Sequence, residues 1–224
     1  MSLLVKICGL STPETLDVAL DAGADMVGFV FFPPSPRNIS LETARALGLR
    51  VEDRAKKVAL VVDADDALLE QIVAALRPDI FQLHGHETPQ RVAAIRESFG
   101  LPVMKVLAIE TKADLAAIPP YIGVVDRLLF DARPPRDATR PGGLGKPFDW
   151  HLLENLELSI PFMLSGGLDP VNVAEALRIT RAPGVDVSSA IECAPGEKDA
   201  DKIRDFIKAA RQAAEQATKV TVGS

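Results

Sequence analysis

Phe162-Met163-Leu164-Ser165-Gly166-Gly167-Leu168-Asp169-Pro170 is the stretch that decides the fold. Apolar and small residues read as a short buried strand, two glycines follow, and an Asp-Pro pair can start a helix. Glycines at such a turn let backbone N–H groups approach a ligand closely, and the helix behind them presents its positive end to an anion. The next unit, Gly184-Val185-Asp186-Val187-Ser188-Ser189, repeats this logic with a β-branched strand that ends in small donors. Two consecutive strand ends of this kind form the phosphate grip of a (β/α)8 barrel, where the loops after strands 7 and 8 supply it.

Working back from that stretch, six more apolar runs precede it: Leu4 to Ile7, Met26 to Phe31, Val58 to Val62, Ile80 to Leu83, Val103 to Leu107 and Leu128 to Phe130. With Phe162 to Leu164 and Val185 to Val187 they make eight. Helix-start signals follow most of them, at Ser11-Thr12-Pro13, Ser40-Leu41-Glu42, Asp63-Ala64-Asp65, Thr88-Pro89, Thr111-Lys112 and Asp169-Pro170. Strict strand-helix alternation demands parallel strands, so the expected class is α/β, a closed eight-stranded parallel TIM barrel, with residues 1–224 as one domain. A doubly wound open sheet would carry G-x-G-x-x-G after its first strand, whereas the turn here is Cys8-Gly9-Leu10-Ser11. Helices five and six, around Ala113 to Ile118 and Trp150 to Leu156, are expected to be short. Ala132 to Pro147 reads as a long loop, the final helix spans about Asp199 to Gln216, and 218–224 reads as a frayed tail.

Composition narrows the function. Apolar residues make up 47% of the 224 and charged ones 25%, with no linker-like tract to divide them. A net charge of -6 without a basic stripe argues against nucleic acid or an anionic membrane and for a small-molecule partner. No run has the form of a signal peptide or membrane span, and the two cysteines, Cys8 and Cys193, read as thiols of a reducing compartment. The expected protein is cytoplasmic, a monomer or homodimer.

Side chains alternate across a strand, so residues two apart share a face. If Cys8 points into the barrel, so does Lys6. The same counting groups Gln82 with His84, Val103 with Lys105 and Leu107, Leu129 with Asp131, and Asp186 with Ser188. Buried charges need partners. Strand 8 neighbours strand 1 in a closed barrel, which pairs Lys6 with Asp186, and a second pairing of Lys105 with Asp131 is expected across strands 5 and 6. Singly, each residue has an ordinary reading: a buried small cysteine, a capping aspartate, a solvated Arg37 in Pro33-Pro34-Ser35-Pro36-Arg37. Their convergence on carboxyl ends of strands, where such barrels keep their chemistry, is what makes them candidates.

In order along the chain, these residues resemble the phosphoribosylanthranilate isomerase family of tryptophan biosynthesis. The likeness rests on Val5-Lys6-Ile7-Cys8-Gly9, Gly23-Ala24-Asp25 with Gly28-Phe29, Pro36-Arg37, Gln82-Leu83-His84-Gly85, Phe130-Asp131, Gly142-Gly143-Leu144-Gly145, Ser165-Gly166-Gly167-Leu168 and Asp186-Val187-Ser188-Ser189. One departure is Ala190-Ile191-Glu192, where the family reads Gly, Val, Glu. The resemblance implies Cys8 as general base, Asp131 as general acid and Arg37 as the holder of the anthranilate carboxylate. Gln82, His84 and Asp186 would line the substrate, and Gly166, Gly167, Ser188 and Ser189 would hold its phosphate. It implies a cofactor-independent Amadori rearrangement with no metal ligands, in which the substrate nitrogen is the electron sink. Cys8 must then give up a proton whose free pKa is about 8.5, with Lys6 as the available help, while Asp131 must hold its own proton.

Other readings remain open on the sequence. A sugar-phosphate epimerase or aldolase on the same barrel would need a metal set, which His84, His86 and His151 do not make, or a strand-end lysine, from which Lys105 falls short. A histidine-pathway aminoaldose isomerase would carry aspartate where Cys8 stands. A non-catalytic phosphate-ligand binding protein would keep the grip without Cys8 and Asp131.

Overall fold

The computed structural model describes residues 3–134, 141–142 and 147–222, with side chains described through 217. Eight strands close into a parallel barrel in chain order: β1 (Leu4–Cys8), β2 (Met26–Phe31), β3 (Lys56–Val61), β4 (Ile80–Leu83), β5 (Val103–Ile109), β6 (Arg127–Ala132), β7 (Phe162–Leu164) and β8 (Gly184–Val187). Closure is made by β1 pairing with β8, in a register that sets Lys6 beside Asp186. The strands lie where the apolar runs predict, because each is covered on its outer face by helices and on its inner face by other strands.

Helices α1 (Pro13–Asp21), α2 (Leu41–Val51), α3 (Asp66–Leu76) and α4 (Pro89–Phe99) start as the sequence signals predict. Thr12, Ser40, Asp65 and Thr88 each accept a hydrogen bond from the backbone N–H three residues on, satisfying a donor the helix itself leaves unpaired. After β5 there are only 3-10 turns, Lys112–Ala117 and Pro119–Tyr121, since Pro119 and Pro120 cannot continue a helix. Between β6 and β7, among the described residues, only Trp150–Leu153 is helical.

Helix α5 (Val173–Thr180) departs from the expectation. It begins not at Asp169-Pro170 but at Val173. Asp169 turns its carboxylate onto the N–H groups of Val171 and Asn172, at 2.7 and 2.8 Å, and so builds a turn ahead of the helix. The last helix also differs. α6 (Ala200–Val222) is helical through most of the stretch expected to fray, because Ala213, Ala214, Gln216, Ala217 and Lys219 favour helix and neither Gly nor Pro intervenes before Gly223. Its buried Ile203, Phe206, Ile207 and Ala210 pack on the barrel and α1, as their spacing predicts.

Two layers of core result. Val5, Ile7, Phe29, Val61, Leu83, Phe130 and Val185 point outward under the helices, while Met26, Val58, Met104, Val106, Leu129 and Met163 fill the floor of the barrel interior. Strand β5 presents the opposite face to the interior from the one expected. Met104 and Val106 face inward, and Val103, Lys105 and Leu107 lie in the outer layer. Lys105 is level with Leu83 and Leu128 in the sheet, both outward, and lateral partners in a parallel sheet share a face. It therefore pairs not with Asp131 but with Glu87, at 2.7 Å, and donates to the carbonyl of Gly85 as well.

Candidate active site

Above the apolar floor the interior turns polar, as residue alternation on β1, β4, β6 and β8 predicts. Lys6, Cys8, Gln82, Asp131, Ser165 and Asp186 are all buried there. A cavity of about 340 Å³ opens at the carboxyl end of the strands. Every candidate residue lines it: Cys8, Arg37, Gln82, His84, Asp131, Gly166, Gly167, Asp186, Ser188 and Ser189.

Lys6 donates to Asp186 Oδ1 at 2.8 Å, and Asp186 Oδ2 accepts from Ser165 Oγ at 3.4 Å. Burial works against the charge on Lys6, but Asp186 and Cys8 together outweigh it and the ammonium is retained. Gly28 makes this arrangement possible, because a Cβ there would stand 2.9 Å from Cys8 Sγ and 3.1 Å from Lys6 Nζ. For Cys8 the balance runs the other way. Burial pushes its thiol up and exceeds the pull of Lys6, so the help expected from that lysine does not bring the thiol below its ordinary range.

Asp131 sits across the cavity on β6. Its Oδ1 accepts from its neighbour's N–H at Ala132, 2.8 Å away, and its Oδ2 lies 3.5 Å from His84 Nε2. Two glycines pack against the carboxylate. A Cβ on Gly142 would be 2.5 Å from Oδ2, and one on Gly166 would be 3.0 Å from Oδ1. Of the glycine-rich motif after β6 only Gly142 is among the described residues; Gly143, Leu144 and Gly145 lie outside them. Gly166 and Gly167 take φ of +83° and +68°, a left-handed region open to glycine, which turns the chain sharply at the end of β7. Ser188 Oγ donates to the carbonyl of Cys8 at 3.1 Å, tying the turn after β8 to the end of β1. Gln82 Oε1 is buried with no hydrogen-bond partner among the described residues.

Arg37 is no surface charge. It is 4% exposed, and its Nε and Nη2 donate to the two carboxylate oxygens of Glu192 at 2.6 and 2.8 Å. Its stem lies on Gly9, whose Cβ position would be 2.6 Å from Arg37 Cδ. Lys198 in turn donates to Glu192 at 2.7 Å. Sequence reading missed Glu192 and Lys198 as members of the site. The available signal was Pro195-Gly196 between short runs, a hairpin turn that returns Lys198 toward Glu192.

A closed parallel barrel with a thiol, a carboxylate and a glycine turn converging on one cavity at its carboxyl rim defines the class: a (β/α)8-barrel protein with ionisable side chains beside a glycine turn at the ends of its strands. The family model for N-(5'phosphoribosyl)anthranilate (PRA) isomerase matches residues 5–209. The chain is 66% identical over 222 residues to the N-(5'-phosphoribosyl)anthranilate isomerase of Bradyrhizobium diazoefficiens, covering 99% of this chain and 100% of that one. To that of Nitrobacter hamburgensis it is 68% identical over 213 residues, 95% of each. Among solved structures, the phosphoribosyl anthranilate isomerase of Thermotoga maritima aligns with TM-score 0.84 at 33% identity, over 94% of this chain and 99% of that one. A phosphoribosyl anthranilate isomerase in complex with reduced 1-(o-carboxyphenylamino)-1-deoxyribulose 5-phosphate aligns with TM-score 0.81 at 31% identity, with the same coverage. The chain belongs to the N-(5'-phosphoribosyl)anthranilate isomerase family.

Proposed function

We infer that this protein converts N-(5'-phosphoribosyl)anthranilate to 1-(2-carboxyphenylamino)-1-deoxyribulose 5-phosphate in tryptophan biosynthesis, by general acid-base catalysis of an Amadori rearrangement. Membership of the family supports the reaction, and one observation carries the assignment of roles: Cys8 on β1 and Asp131 on β6 open into the same cavity. Asp131 gives its proton to the furanose oxygen as the bond from that oxygen to C1 breaks. The substrate nitrogen supplies the electron pair and becomes an iminium. Cys8, as thiolate, then takes the proton from C2, the electrons return to nitrogen, and the resulting enol tautomerises to the ketone. Lys6 stabilises the thiolate, and His84 orients the Asp131 carboxyl group from Nε2. Gln82 and Asp186 meet the sugar from β4 and β8.

The phosphate is read by backbone amides of Gly166, Gly167, Ser188 and Ser189, and the anthranilate carboxylate by Arg37. Holding both ends of the substrate fixes C1 and C2 between acid and base, converting a chance encounter into a positioned one. The partner is thus a phosphorylated small molecule. Both cysteines are free thiols, in keeping with a reducing cytoplasm, where the protein works as a monomer or homodimer. Among the described residues no helix is long and apolar enough to cross a membrane.

The test is chromatographic conversion of the phosphoribosyl substrate to the aminoketose by the purified chain, alongside Cys8→Ala. Turnover by the wild type and its loss by about 1,000-fold or more in the variant are expected, in the range that removal of an acid-base group produces. Full activity in Cys8→Ala would refute its role as base.

A further inference from the structure

Beyond β8 the chain forms a small antiparallel hairpin, β9 (Glu192–Ala194) and β10 (Glu197–Lys198), outside the barrel's strand ring. It touches the loop after β2 at two points. Glu192 takes the Arg37 guanidinium in a two-pronged pair. At the hairpin turn Gly196, with φ of +90°, lies so close to the loop that a Cβ would stand 2.4 Å from the carbonyl oxygen of Pro36. On its other side the hairpin is locked to the site. Lys198 Nζ donates to Glu192 Oε1 at 2.7 Å, to the Ser188 carbonyl at 2.8 Å and to Ser188 Oγ at 3.2 Å, and that hydroxyl donates to the Cys8 carbonyl.

The three charged side chains are nearly dry, at 5%, 5% and 0% exposure for Arg37, Glu192 and Lys198. Removing three charges from water is unfavourable, and the barrel could fill the space with apolar groups at less cost. What the arrangement does provide is geometry. A guanidinium is a planar fork, and a carboxylate that takes two of its N–H groups fixes the plane as well as the position.

We propose that the β9–β10 hairpin positions Arg37, with Glu192 and Lys198 as positioning residues that hold its guanidinium at a set distance from the Ser188 turn and from Cys8. This rests on the reading of Arg37 as the holder of the substrate carboxylate. A long side chain fixed before the ligand arrives loses little rotamer freedom on binding, and its contribution appears in affinity. It also sets the spacing between the two grips on the substrate.

Steady-state kinetics of the whole chain with the phosphoribosyl substrate test the proposal in Arg37→Ala, Glu192→Gln, the double variant and Lys198→Met. Glu192→Gln keeps the shape and loses the charge. It is expected to raise KM about 10-fold with kcat within about threefold, the split that loss of uniform binding gives. In the Arg37→Ala background the same change should add less than about twofold, because it acts through the arginine. Lys198→Met should shift KM in the same direction by a smaller factor, and it carries the test on the same criteria if Glu192→Gln does not fold. A raised KM in Arg37→Ala with an unchanged one in Glu192→Gln, or full additivity in the double variant, overturns the inference alone. An unchanged KM in Arg37→Ala overturns the reading of the arginine, and the inference with it.

Discussion

Lys6 and Asp186 meet at 2.8 Å across the seam where β8 closes on β1, both buried, directly beneath Cys8. The pair joins first strand to last, so closure of the barrel and the electrostatics of the cavity depend on the same contact. Removing one partner leaves the other charge without compensation in the interior. Asp186→Leu is expected to lower unfolding free energy by about 3 kcal/mol, and Lys6→Met with Asp186→Leu to recover a large part of that. Urea unfolding of the single and double variants checks it, and a double variant no more stable than the single one contradicts it.

Burial raises the Cys8 thiol above its ordinary range, so the thiolate is the minor form at neutral pH. Base catalysis by Cys8 then predicts kcat/KM that climbs about tenfold per pH unit between pH 7 and 8.5, since this ratio reports ionisations of the free enzyme. A flat profile over that range would show that a group other than Cys8 takes the proton.

Asp131 and His84 should divide acid and orienting roles unequally. Asp131→Asn keeps the shape without a transferable proton and should cut kcat by about 1,000-fold, whereas His84→Gln should cut it by about 10-fold. Equal losses in single-turnover measurements would place the proton on the pair rather than on the carboxyl group.

Gly166 offers a test with an internal control. Gly166→Ala meets the Ala132 nitrogen at 2.5 Å and crowds Asp131, while Gly23→Ala, at a similar φ of +88°, has nothing within 4 Å. Both carry backbone strain of about 1 kcal/mol. Only Gly166→Ala should also lower kcat/KM, by about 100-fold for a misplaced acid, and comparable kinetics in the two variants would show strain alone at work.

Burial brings Lys198 down from its ordinary 10.5 to about 8, against the pull of Glu192. Below pH 8 both folded and unfolded chains keep the proton. Between about 8 and 10.5 the unfolded chain keeps it and the folded one has released it, so this lysine makes stability rise with pH across that window. Lys198→Met should lack that contribution, and unfolding midpoints at pH 8 and 10, compared between wild type and variant, measure it.

The site was legible in the sequence to the extent that its groups sit on strands with one unambiguous face. Gln82 with His84, Leu129 with Asp131 and Asp186 with Ser188 share faces by alternation alone, and the tight turn after β7 announces itself through Gly166 and Gly167. Arg37 was placed at the site by resemblance, but its partner was not found. Glu192 is 155 residues away in the chain, and the contact exists only because a hairpin after β8 folds back onto the loop after β2.

Eight strands, their order, their parallel sense, four helix starts and the Lys6–Asp186 seam follow from the sequence by itself, because periodicity and caps act within a turn or two and closure makes first and last strands neighbours. Which face of β5 looks inward, that Lys105 answers Glu87 and not Asp131, that burial outweighs Lys6 at the Cys8 thiol, and what holds Arg37 were decided by the tertiary structure. Each depends on lateral register or on docking between segments distant in the chain, and nothing in a local pattern carries that information.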